Sequence, residues 1–137
     1  MRPTDLDYKR YVHLIDLLNE KSFNEQSVMA SHPFLVQENM FIAFLIRSNE
    51  ALIKIANKYN FDKTELEEWQ SLSLSNFNQK FWDHTAEMYY PFDLNTNELI
   101  YKDIIGGMMA LFAGIPSKEQ ANMLVTKLTK SFIENES

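Results

Sequence analysis

Three polar side chains, Gln37, Glu38 and Asn39, stand in a row just ahead of a long apolar run. At the start of a helix a carboxylate gains roughly 0.3–1 kcal/mol from the helix dipole. Trp82, Tyr89, Tyr90 and Phe92 form a second cluster. Aromatic rings offer flat apolar faces, and tyrosine and tryptophan add a polar edge. Such a group either stacks on a sugar ring or fills a small core beneath a hairpin. Strand alternation sets Tyr89 and Pro91 on one side and Tyr90 and Phe92 on the other, so one pair is expected inside. His13, His32 and His84 are far apart and lack an HxxxH spacing, and there is no cysteine. No metal site and no cofactor are therefore expected. Gly106-Gly107 lacks a GxGxxG context and reads as a place where helices approach closely. No GxSxG nucleophile motif occurs.

These groups need elements to hold them. The stretch Phe34–Tyr59 is the longest helical pattern, apolar without a break from Met40 to Ile46. Phe41, Leu45, Leu52, Ile55 and Ala56 give it an inner stripe, and it is expected to be a core helix buried on every side. Pro33 marks its start by keeping His32 out of helical geometry. Before it, Thr4 is a good N-cap, with Asp5 and Asp7 in the first turn of an amphipathic helix ending near Lys21. A loop, Ser22–Pro33, joins the two. Asp62 and Glu65 have capping-box spacing for a third helix that runs to Trp82. Residues 87–101 are expected to form a small β-hairpin turning at Asn95-Thr96-Asn97. Asp103 can cap a fourth, apolar helix, Ile104–Phe112, which Gly114 and Pro116 stop. Ser117 and Gln120 box the start of the last, amphipathic helix.

The helices thus alternate between amphipathic and apolar. Connections leaving an apolar helix are short and those entering one are long. Short loops make antiparallel pairs, which gathers the long loops on one face, where function usually sits. The fold class is all-α, about five helices in antiparallel hairpins, as a single unit over residues 1–137. The net charge of −6 and the lack of a basic stripe argue against a nucleic-acid partner. Seven consecutive apolar residues fall far short of the roughly 20 that span a membrane. Met1-Arg2-Pro3-Thr4 leads into a helix without an apolar leader, so a cytoplasmic location is expected of the chain as written.

Alternating inner and outer helices build an (α/α)6 toroid, and the residues resemble one version of it. RPTDLDYKRYVHLIDLL, PFLVQENMFIAFLIRSNEALIKIA, FNQKFWD, YYPFDL and IGGMMALFAGIPSKEQANMLV are similar, in that order, to the six-hairpin glycoside hydrolases. The pattern most resembles mannosylglycerate-hydrolase-like and mannosyl-oligosaccharide-glucosidase-like enzymes. The resemblance implies a carbohydrate partner, α-linked and gluco- or manno-configured. It also implies a sugar pocket on the long-loop face, with Gln37, Glu38, Phe41, Tyr89, Tyr90 and Phe92 as substrate-binding residues.

The pattern departs from the family in two places. Phe41-Ile42-Ala43 stands where relatives have an FNA-like sequence, so an apolar group replaces an amide. Ala110 stands where they have proline.

The family's general-acid aspartate, in a motif resembling GWDNSPRW, is absent, and so is its partner carboxylate. Glycoside hydrolysis needs two flanking carboxylates. The expected function is thus pocket wall without a catalytic pair, inactive alone. The alternative is a non-catalytic binding or assembly module. A self-sufficient hydrolase would need a pair drawn from Glu38, Glu87 and Asp93. Five helices cannot enclose two apolar ones, so self-association into a homo-oligomer through exposed apolar helix edges is also expected.

Overall fold

The computed structural model describes residues 2–102 and 105–132, without the side chains of residues 131 and 132. Its described helices are α1 (Asp5–Glu20), α2 (Glu25–Ser31), α3 (Asn39–Tyr59), α4 (Thr64–Phe81), α5 (Met109–Ala113) and α6 (Lys118–Phe132). Among the described residues five two-residue strands lie between them: β1 (Val36–Gln37), β2 (Trp82–Asp83), β3 (Met88–Tyr89), β4 (Phe92–Asp93) and β5 (Glu98–Leu99). Among the described residues no helix is long and apolar enough to cross a membrane.

Local chemistry explains most boundaries. Thr4 closes a full capping box with Asp7, accepting from the Asp7 amide while the Asp7 carboxylate accepts from the Thr4 amide and hydroxyl. Asn24 caps α2 through the Ser27 amide, which puts a helix in the stretch expected to be loop. Pro33 does hold His32 extended, at ψ 133°. The chain then forms β1, and α3 begins at Asn39 instead of Phe34. Asn60 ends α3 in the left-handed region at φ 54°. Asp62 works differently from a capping box: its Oδ1 accepts from the Thr64 amide and hydroxyl, and Lys63 occupies the N-cap. Ser117 and Gln120 make the expected reciprocal pair, and Gly114 ends α5 at φ 67°. The fourth helix opens as a 3-10 turn over Ile105–Met108 before α5; its expected cap at Asp103 and start at Ile104 lie outside the described residues.

The expected hairpin is present as β4–β5, turning through residues 94–97. It belongs to a three-stranded antiparallel sheet, because β1 pairs with β4, Val36 facing Asp93 and Gln37 facing Phe92. A separate antiparallel pair joins β2 to β3. α3 packs on α4, on α5 and on the preceding 3-10 turn. Ala43, Ile46, Phe77, Phe81, Tyr89, Ala110 and Leu124 belong to one buried cluster between these elements.

One expectation about α3 is reversed. Its buried stripe is Asn39, Ala43, Ile46, Asn49 and Ala56. Phe41, Leu45, Leu52 and Ile55, expected inside, are 67%, 50%, 47% and 51% exposed. Residues 41, 45, 52, 55 and 59 recur at helical spacing on a second apolar face. α1 repeats the pattern. None of its residues is buried, and Tyr8, Tyr11, Val12 and Ile15 stay exposed at i, i+3, i+4 and i+7. Both helices carry more apolar surface than the described residues cover.

Candidate active-site wall

The start of α3 and strand β4 meet through the β1–β4 pairing, so Gln37 and Glu38 adjoin the aromatic strand region. Glu38 is the N-cap of α3, and its Oε1 accepts from the Met40 amide at 3.3 Å. The carboxylate thus occupies the end of a 21-residue helix, where unpaired amides and the dipole favour a negative group. Asn39 is fully buried and donates from Nδ2 to the Gly106 carbonyl at 3.2 Å. That bond ties the start of α3 to the turn that opens the fourth helix. Gln37 is half-buried and lines an open cavity of about 330 Å³ between α3 and α4, together with Leu45, Asn76 and Lys80.

The aromatic cluster is mostly interior. Tyr89, Tyr90 and Trp82 are 1%, 5% and 7% exposed, while Phe92 is half-buried. Alternation fails to separate them because β3 ends at Tyr89 and β4 begins only at Phe92. Tyr89 stacks edgewise on Phe77 and Trp82, with ring centroids 5.3 and 4.8 Å away. Its hydroxyl donates to Asn78 Oδ1 at 2.5 Å. Burial raises the pKa of this phenol above its ordinary value. Phe92 lies under the Lys80 ammonium, 4.7 Å from the ring centroid. Phe41 lies apart from this interior group, on the exposed face of α3.

Two polar nodes have roles that the sequence did not indicate. His32, only 3% exposed, makes ring contacts with the Phe34 and Leu14 carbonyls at 2.8 and 3.2 Å, and its own carbonyl accepts from Asn95 Nδ2. It links α1, the approach to β1, and the β4–β5 turn. Asp83 Oδ1 accepts from the Thr85 and Ala86 amides, and Oδ2 accepts from the Tyr101 hydroxyl at 2.8 Å. These bonds, led by that from Ala86, hold the Asp83 carboxyl below its ordinary value, while the bond to Asp83 raises the Tyr101 phenol. The Asp-x-Thr sequence 83–85 signals the Asx turn; nothing in it signals Tyr101.

Two of the three carboxylates weighed as an acid–base pair have structural duties. Glu38 caps α3, and Asp93 Oδ1 accepts from the Asn95 and Thr96 amides. Glu87 sits at a tight turn with φ 50°. Among the described residues no three acidic or histidine side chains converge on a metal-sized site.

Known proteins share the sequence pattern and the fold. The chain is 32% identical over 123 residues to mannosylglycerate hydrolase of Thermus thermophilus, covering 90% of this chain and 29% of that protein. It is 27% identical over 130 residues to mannosylglycerate hydrolase MGH1 of Selaginella moellendorffii, covering 93% and 26%. A crystal structure of a GH63 mannosylglycerate hydrolase from Thermus thermophilus in complex with Tris matches with a TM-score of 0.89 at 30% identity, over 94% of this chain and 31% of that one. The complex of that enzyme with glucose matches equally, over 97% and 31%. The chain therefore spans under a third of the length of these relatives, and its helices form part of an all-α toroid. The family model for the mannosylglycerate hydrolase MGH1-like glycoside hydrolase domain matches residues 1–133, and the chain belongs to that family.

Proposed function

We propose that this chain is one sector of a toroidal hydrolase that cleaves mannosylglycerate or a closely related α-linked sugar. The sector supplies pocket wall and is inactive without the rest of the toroid. The observation that carries this reading is the 0.89 TM-score over nearly the whole chain against an enzyme more than three times as long. Cleavage needs one carboxylic acid to protonate the leaving oxygen and a second carboxylate on the other side of the sugar. Glu38 and Asp93 already hold backbone amides, which supports assigning that pair to other parts of the toroid.

In this reading Gln37 and Glu38 face the substrate from the start of α3. The family resemblance implies Phe41, Tyr89, Tyr90 and Phe92 as the rest of the substrate-binding set; half-buried Phe92, paired with Gln37, adjoins this wall, whereas Tyr89 and Tyr90 are interior and Phe41 lies on the exposed face of α3. The interior tyrosines also fix the strands from which the wall is built.

The test uses a chimera in which this sequence replaces the aligned stretch of the Thermus thermophilus enzyme. Glu38→Gln in that chimera should raise KM about tenfold and leave kcat within a few-fold, the pattern of lost binding. A kcat lower by a thousandfold or more at unchanged KM would instead make Glu38 one of the reacting carboxylates and overturn the wall assignment.

A further inference from the structure

Asn39 is fully buried, on the same face of α3 as Ala43 and Ile46. Asparagine favours helix starts as an N-cap, where its side chain accepts from the amides that follow. Here Glu38 is the N-cap and Asn39 stands one residue inside the helix, so capping does not account for it. Its Nδ2 donates instead to the Gly106 carbonyl, 67 residues away in the sequence. Its Oδ1 is shielded from solvent and has no hydrogen-bond partner among the described residues. A buried acceptor without a donor is unfavourable, and an apolar side chain of similar size would avoid it. The link to Gly106 is what the amide supplies. We propose that Asn39 is a positioning residue for substrate binding, fixing Glu38 in place by locking the start of α3 to the turn before α5. The inference deepens the functional reading above and rests on it.

The residues on either side of Glu38 are both tied to other parts of the chain. Gln37 is held in β1 by its pairing with Phe92 of β4. Asn39 is held by Gly106, in a turn that has little room to move. A Cβ added at the next residue, Gly107, would overlap the Tyr89 carbonyl, so this backbone lies directly on β3. The Glu38 carboxylate bonds only within its own helix start, to the Met40 amide. That bond sets its place on α3 and leaves the placing of α3 itself to its neighbours. Because Asn39 follows Glu38 directly, a shift of the Asn39 backbone carries the carboxylate with it. A misplacement of about 1 Å can cost roughly a hundredfold in an active site.

The experiment is a double-mutant cycle between Asn39→Ala and Glu38→Gln in the chimera, read as KM and kcat on mannosylglycerate. Ile46→Val, two turns further along the same buried face, controls for lost core packing. Asn39→Ala should raise KM about fivefold and leave kcat within about threefold, the pattern of weakened binding. In the Glu38→Gln background it should add less than about twofold, because its effect passes through Glu38. Ile46→Val should leave KM within about twofold. Amide exchange at Met40, which Glu38 caps, should be about tenfold faster in Asn39→Ala than in Ile46→Val. If Asn39→Ala does not fold, Asn39→Leu, which keeps the volume and removes both polar atoms, replaces it in each comparison. An unchanged KM with lowered thermal stability would make Asn39 a packing residue and overturn the proposal. So would a KM effect that multiplies in full with that of Glu38→Gln. A folded chimera without turnover rejects the functional reading; faster Met40 exchange then upholds the lock at Asn39, and unchanged exchange rejects it.

Discussion

Asp83 and Tyr101 couple two turns through one hydrogen bond, and their acidities move in opposite directions. A carboxyl with a lowered folded pKa contributes stability that is complete above its unfolded value, about 3.9, and lost as pH falls through the folded value. A phenol with a raised folded pKa contributes stability that is complete below about 10 and lost as pH rises through the folded value. Denaturant titrations should thus show Asp83→Ala converging with the parent below pH 4, and Tyr101→Phe converging with it well above pH 10. Parallel stability curves across both windows would contradict the pairing. Tyr89 makes a different kind of contribution. Removing its hydroxyl with Tyr89→Phe orphans Asn78 Oδ1 and should cost about 1–2 kcal/mol, measurable by urea unfolding.

Elements are legible in the sequence where one local rule decides them. The Thr4 and Ser117 caps and the Gly114 stop need only neighbouring residues, whereas Pro33 holds His32 extended at the end of α2 and does not start α3. The 3-10 turn at Gly106-Gly107 is harder to read because its reason is tertiary. A Cβ on Gly107 would lie 2.5 Å from the Tyr89 carbonyl and 2.7 Å from Met88 Cε. The glycine therefore admits strand β3, where close packing of helices was expected. Gly107→Ala must displace backbone, and a loss of about 3 kcal/mol, the upper end for overpacking, is expected by thermal unfolding. At Asn60, the left-handed end of α3, Asn60→Gly should be neutral or mildly stabilising and Asn60→Val clearly destabilising, since a β-branched side chain opposes that conformation. The unexpected α2 and β1 have the same tertiary origin: His32 anchors one end and the β4 register the other.

At the scale of the molecule, the inner and outer faces of α3 illustrate the limit of reading periodicity alone. Phe41, Leu45, Leu52 and Ile55 repeat as well as Asn39, Ala43, Ile46 and Asn49 do, and hydropathy favours the first set. The structure buries the second, polar members included, where α3 packs against α4, α5 and the 3-10 turn. The stronger apolar stripe stays exposed. The candidate site follows the same logic: Glu38 is visible as a helix-start carboxylate, whereas the interior placement of Tyr89 and Tyr90 depends on contacts with α4 and the 3-10 turn. The central claim is that this sector becomes a hydrolase only inside a complete toroid. Its most direct test is mannose release from mannosylglycerate by the isolated chain and by the chimera, assayed side by side. The account predicts release by the chimera and none above background by the chain alone. Turnover by the isolated chain, or a folded chimera that releases nothing, would contradict it.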